Sequence, residues 1–218
     1  MMSGPLGLLQ GGLPGLIAFV LLAGALVVAI GLHEYAHALA ADLQGDRLPR
    51  AMGRLTINPL RHLDPLGTVL IFIAGFGWGK PVEFRPEALS SRRFGAAIVA
   101  LAGPMMNILL AILGGFLYRL SLLGPELQFL DLFLQQFIFI NAVLAVFNLI
   151  PVPPLDGSRL LTIFLPPSKQ KIIYFLDRYG FLILLVVVFL GPRTLFDPII
   201  DFVIRVVGTL TGLTYLPS

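Results

Sequence analysis

Residues 13–32 hold twenty consecutive positions without a charged side chain, and they run unbroken into LHEYAHALAADL at 32–43. About 20 apolar residues are enough for a helix to cross a bilayer. In hydrocarbon every backbone N–H and C=O must be paired within the protein, so such a segment has to be helical. The helix ends near Gly45, and its last turns carry two histidines, a glutamate and an aspartate. A chain that places its most reactive side chains at the end of a lipid-spanning segment has to be explained by chemistry at the membrane.

The remainder of the chain belongs to the same class. Of 218 residues 57% are hydrophobic and only 12% charged, with a mean hydropathy of +0.91, whereas soluble domains are about a quarter charged. The expectation is an all-α polytopic membrane protein, a bundle of about four to six transmembrane helices in a single membrane-embedded domain over 1–218. Further spans are expected at 95–118, 127–150 and 172–190. The tail at 195–216 carries Asp197, Asp201 and Arg205 on one helical stripe, which suits the membrane surface as well as a crossing. Residues 66–78, LGTVLIFIAGFGW, are too short to cross and are β-branched and glycine-rich, which predicts a short re-entrant, strand-like segment. Gly75, Gly77 and Gly79 recur at alternate positions there, leaving one face open to a substrate strand over 68–84. Net charge is only +3 and is dispersed, so no nucleic-acid partner is expected. With no cysteine, a thiolate metal site is excluded.

Arginine and lysine are concentrated in the loops at 44–93 and 151–171, are absent before the first span, and are represented only by Arg119 around 119–126. By the positive-inside rule the N-terminus is outside and HEYAH lies near the cytoplasmic end of its helix. At about 1.5 Å per residue, His33 is about 25 Å beyond Leu16, just inside the bilayer.

His33 and His37, at i and i+4, project from one helix face and can take two corners of a tetrahedral zinc. Glu34 can reach a metal-bound water as a general base. Ionisable residues inside a span are costly and generally functional. A catalytic zinc needs a third protein ligand and an open position. Asp156 in PVPPLDG is best placed, because the prolines break the chain beside the membrane and Gly157 permits close approach. Asp131 competes but falls at the opposite membrane face, and Asp42 is rotated off the ligand face. His62 sits in a polar loop, where a role other than ligation is expected.

HEYAH, GRLTINPLRHLDPLGT at 53–68, GFGWGKPV at 75–82, LAGPMMN at 101–107 and FNLIPVPPLDGSRLL at 147–161 together resemble the site-2 protease family of intramembrane zinc metalloproteases. The likeness is to its compact bacterial and archaeal members without a PDZ or CBS domain, and it covers a catalytic core at about 13–165, with weaker likeness in the C-terminal helices at about 170–216. It implies one Zn2+ per chain held by His33, His37 and Asp156, with Glu34 as catalytic base. The reaction it implies is hydrolysis of a peptide bond in or near the transmembrane segment of a membrane protein or peptide, in regulated intramembrane proteolysis or in clearance of membrane peptide remnants. Its setting would be a bacterial or archaeal cell membrane, with the active site towards the cytoplasm.

Asn107 lies near the active site in the family pattern. Asn107, Asn148 and Asn141 are candidates for binding substrate or stabilising an oxyanion, as are Gly75 and Gly77 for substrate approach, while Gly103 is expected to permit close helix packing. The alternative reading is a membrane zinc-binding protein or transporter without protease activity, although three histidines are few for a permeation path. Substrate identity and oligomeric state are not legible in the residues.

Overall fold

The computed structural model describes residues 5–74, 78–121, 128–164, 170–190 and 197–213. In chain order the helices are α1 (Gly12–Leu43), α2 (Leu48–Ala51), α3 (Pro65–Ala74), α4 (Arg92–Ser121), α5 (Gln128–Asn148), α6 (Gly157–Phe164), α7 (Gln170–Leu190) and α8 (Asp197–Thr211). Among the described residues three segments are long and apolar enough to cross a membrane: Leu6–Leu43, Phe94–Leu120 and Phe129–Asn148. A shorter apolar stretch, Arg178–Val187, lies in α7. The all-α membrane architecture is therefore as the composition requires.

Helices α1, α4 and α5 pack against one another through small residues. Ala25 and Ala29 of α1 are fully buried against Leu110 of α4 and Phe137 and Ile140 of α5. Without a hydrophobic drive between helices in lipid, such close backbone approach supplies the van der Waals contact that holds a bundle together. The outward face of α4 is the converse: Ile98, Met105, Leu109, Leu113 and Phe116 recur every three to seven residues and are 47% to 58% exposed. That stripe would be a liability in water and is the natural face towards acyl chains. Helix α8 docks on α4 and α5, with Val207 buried beside Ala111, Tyr118, Leu134 and Ile138. Arg119 near the end of α4 donates to the Thr211 carbonyl at 3.0 Å.

The strand expected within 66–78 is not formed over its first part. Pro65–Ala74 is helical, because the local start signal outweighs β-propensity. The Asp64 carboxylate accepts the Gly67 N–H at 2.8 Å, its carbonyl accepts the Thr68 N–H at 2.8 Å, and Pro65 is pre-set for a first helical position. Gly75 and Gly77 lie outside the described residues. Beyond them the chain is irregular, with one isolated antiparallel bridge between Leu63 and Gly79.

Candidate metal centre

The i, i+4 spacing on α1 brings His33 and His37 edge to face, their Nε2 atoms 3.0 Å apart. Each imidazole is fixed from behind by its other nitrogen. His37 Nδ1 lies 2.7 Å from the Val99 carbonyl of α4, and His33 Nδ1 lies 2.5 Å from Asn107 Oδ1. Both partners are acceptors, so each Nδ1 donates its proton backwards and each Nε2 points inward. Pro104, inside α4, has no N–H for the Ala100 carbonyl; the helix is thus loosened beside the carbonyl that receives His37.

Asp156 closes the group. Its Oδ2 lies 3.1 Å from His33 Nε2 and 3.2 Å from His37 Nε2. The carboxylate comes from the loop between α5 and α6, where the Asp156 carbonyl starts α6 by accepting the Arg159 N–H at 2.9 Å. The side chain is thereby free to point at the histidines. Gly157 permits the tight return, since a Cβ there would overlap the Leu149 carbonyl.

Two imidazole Nε2 atoms and a carboxylate oxygen thus converge within van der Waals distance of each other. Three such atoms within 3.2 Å of one another need positive charge among them, which a metal ion would supply. Asp156 Oδ2 is buried without a hydrogen-bond donor, as a metal-ligating oxygen would be. Gly103 of α4 faces the group: a Cβ at this position would overlap His37 Nε2 and lie 2.6 Å from His33 Nε2. The glycine leaves the open side that a metal needs. Two imidazoles and one carboxylate could hold a metal ion and match the donor set of a catalytic zinc.

Behind His33 runs a buried relay. Asn107 donates to Asn141 Oδ1 at 2.8 Å, and Asn141 donates in turn to the Phe137 carbonyl at 2.8 Å. Both asparagines are fully buried and neither lines the cavity described below. Their placement is therefore behind a ligand, fixing its tautomer and orientation, in contrast to the substrate or oxyanion role read from sequence. The signal that could have found this is their shared depth with His33 on neighbouring helices. Asn148 does face the cavity, its amide donating to the Leu144 carbonyl at 3.0 Å.

The metal centre opens on a cavity of about 810 Å³, lined on its polar side by His33, Glu34, His37 and Asp156. Its longer apolar side is formed by Leu22, Leu26 and Ile30 of α1, Phe139, Val143 and Phe147 of α5, and Phe181 and Leu184 of α7. The segment Trp78–Phe84 forms a further wall, with Trp78 edge to face on Phe181 at 6.0 Å between ring centroids.

Other polar residues are used elsewhere. Asp42 is clasped by Arg47 and Arg50 at 3.1 and 2.7 Å. His62 is buried, its Nε2 lying 2.8 Å from the Thr56 carbonyl. Burial pushes the His62 imidazole below its ordinary range despite that carbonyl, and the nearby Arg54 guanidinium lowers it further. Burial would raise the Asp46 carboxyl, but hydrogen bonds from the Arg85 and Leu48 amides and the Arg85 guanidinium outweigh it and hold the group below the usual carboxylate range.

Fold and site together define a membrane-embedded metalloprotease. The sequence matches peptidase family M50 over residues 21–126 and 124–187, and the chain belongs to this family, that of the site-2 proteases. It is 40% identical to "Putative zinc metalloprotease YwhC" of Bacillus subtilis over 167 residues, covering 74% of this chain and 76% of that protein. It is 32% identical to "Putative zinc metalloprotease Rip2" of Mycolicibacterium smegmatis over 181 residues, 77% of this chain and 66% of the relative. The Rip2 of Mycobacterium tuberculosis strain H37Rv is 33% identical over 180 residues, 80% of this chain and 68% of the relative. No solved structure matches the chain. The protein is a zinc metalloprotease.

Proposed function

We propose that the protein hydrolyses a peptide bond in or near the transmembrane segment of a membrane-protein substrate, from a metal site facing the cytoplasm. The observation that carries this reading is the continuity of the ligand group with a cavity whose apolar walls include the spanning helices α1 and α5. An apolar chain segment matches that lining, whereas a soluble polar peptide would leave its charges unpaired against it. The basic residues of 44–93 and 151–171 support the cytoplasmic orientation.

His33, His37 and Asp156 would hold the zinc, with Asn107 and Val99 setting the ring orientations. Zinc, when bound, supplies Lewis acidity that brings the pKa of water towards about 7. Glu34 lines the same cavity, beside Gly79, where a Cβ would come within 3.3 Å of Glu34 Oε1. As general base it takes the proton of the attacking water and passes it to the departing amine. The apolar walls exclude bulk water while the substrate backbone is held at the polar end.

The test uses the full chain in liposomes with a synthetic transmembrane peptide and mass-spectrometric detection of products. The wild type is expected to cut within or beside the apolar segment. Glu34→Gln is expected to retain one zinc and lose cleavage. Cleavage confined to soluble peptides, with transmembrane peptides untouched, would overturn the reading.

A further inference from the structure

The irregular segment that walls the cavity is anchored at both ends by buried charges outside the metal centre. At its start the buried guanidinium of Arg54 donates to the carbonyls of Arg61 and Lys80. The Lys80 N–H in turn donates to the His62 carbonyl at 2.7 Å. At its far end Asp46 is 0% exposed. Its carboxylate accepts the Arg85 N–H at 2.5 Å and the Arg85 Nη2 and Nε at 2.9 and 3.2 Å. The Leu48 N–H completes this set at 3.0 Å. Between the anchors, Pro81, Val82 and Phe84 face the cavity, and the backbones of Val82, Glu83 and Phe84 make no hydrogen bond among the described residues.

A loop that only had to link two helices could be closed by ordinary turns. Burying a carboxylate and a guanidinium is costly unless each is paired with good geometry, and here both are paired to the two ends of one six-residue stretch. The stretch between them has neither a ladder nor a helix to hold its shape, so apart from Phe84, which packs on Ala41, Leu89, Ala96 and Val99, its position against the cavity depends on those ends. We propose that Asp46 and Arg54 are positioning residues that brace Lys80–Arg85 against the cavity, and that substrate affinity, not the hydrolytic step, depends on the brace. The affinity half rests on the reading of the cavity as the substrate's seat.

The experiment pairs amide exchange with kinetics, using Asp46→Ala, Arg54→Met and the milder Arg54→Lys in the full-length protein. Exchange is expected to accelerate about tenfold at the Lys80 amide, which donates to the His62 carbonyl, in Arg54→Met, and at the Arg85 amide, which donates to Asp46, in Asp46→Ala, with α1 unaffected and one zinc retained, because only local opening is promoted. Arg54→Lys should fall between, since an ammonium cannot span both carbonyls as a guanidinium does. In Asp46→Ala, which keeps the Arg54 charge that acts on Glu34, KM for the transmembrane peptide should rise about tenfold with kcat nearly constant, the signature of lost uniform binding. Asp46→Ala/Arg85→Ala should be little worse than Asp46→Ala alone, because the two share one interaction. Unchanged exchange in all three variants overturns the brace. A parallel fall in kcat and zinc content at constant KM overturns the affinity role and indicates a general loss of structure. If the wild type cuts no transmembrane peptide, the seat reading itself fails, and the exchange result alone decides whether the brace stands.

Discussion

The metal end and the 78–85 wall of the cavity face each other, but they are built in opposite ways. At the metal end both histidines sit on one long helix, and each is fixed by a short side-chain bond to another helix: His37 to Val99, and His33 to Asn107, which bonds on to Asn141. At the wall the backbone has no regular partner, and charged side chains from the preceding loop hold its ends. The difference separates two tasks. Metal ligands need fixed directions, which helices braced in a bundle provide. A wall that, on the proposed reading, receives apolar chains needs only to stay in place, which its two anchors and the packing of Phe84 provide.

The comparison can be broken most sharply at Gly103. Gly103→Val places carbon on the atoms that should face the ion, so zinc is expected to be lost while helical content, followed by circular dichroism, is kept. Normal zinc content in this variant would mean that α4 does not border the metal. A smaller loss is expected one shell back: Asn107→Ala should lower zinc affinity about 10- to 100-fold, as is usual for the partner behind a metal-bound histidine. Asn141→Ala acts only through Asn107 and should cost less. Chelator competition would measure both, and a reversed order would contradict the relay. The smallest effect belongs to the wall side. Asp64→Ala removes the cap of α3 and should cost about 1 kcal/mol of stability without altering zinc content.

The same contrast explains what could be read in the sequence. The spans in α1, α4 and α5 were legible because hydrocarbon leaves a helix no alternative, whereas at 172–190 only the shorter apolar stretch Arg178–Val187 is found, and HEYAH was legible because i, i+4 geometry is local. Nothing local says that Asn107 and Asn141 stand behind His33 and not in the cavity, because both roles call for a buried amide. Gly103 looked like a packing glycine, since the atoms it accommodates come from another helix. For 66–74 the β-branched residues pointed to a strand, although the Asp64–Pro65 start signal was present and proved decisive. The wall-end partners of Arg54 and Asp46, the Lys80 carbonyl and the Arg85 amide, lie 26 and 39 positions away, a closure that residue types alone do not encode.

The central claim is that the loop after α5 completes the α1 site through Asp156. X-ray absorption at the zinc edge, with metal analysis on the purified protein, tests it directly. The account predicts one zinc per chain bound by two imidazoles and one carboxylate oxygen, with Asp156→Ala losing that oxygen and most of the metal. An unchanged zinc content and an unchanged spectrum in Asp156→Ala would contradict it.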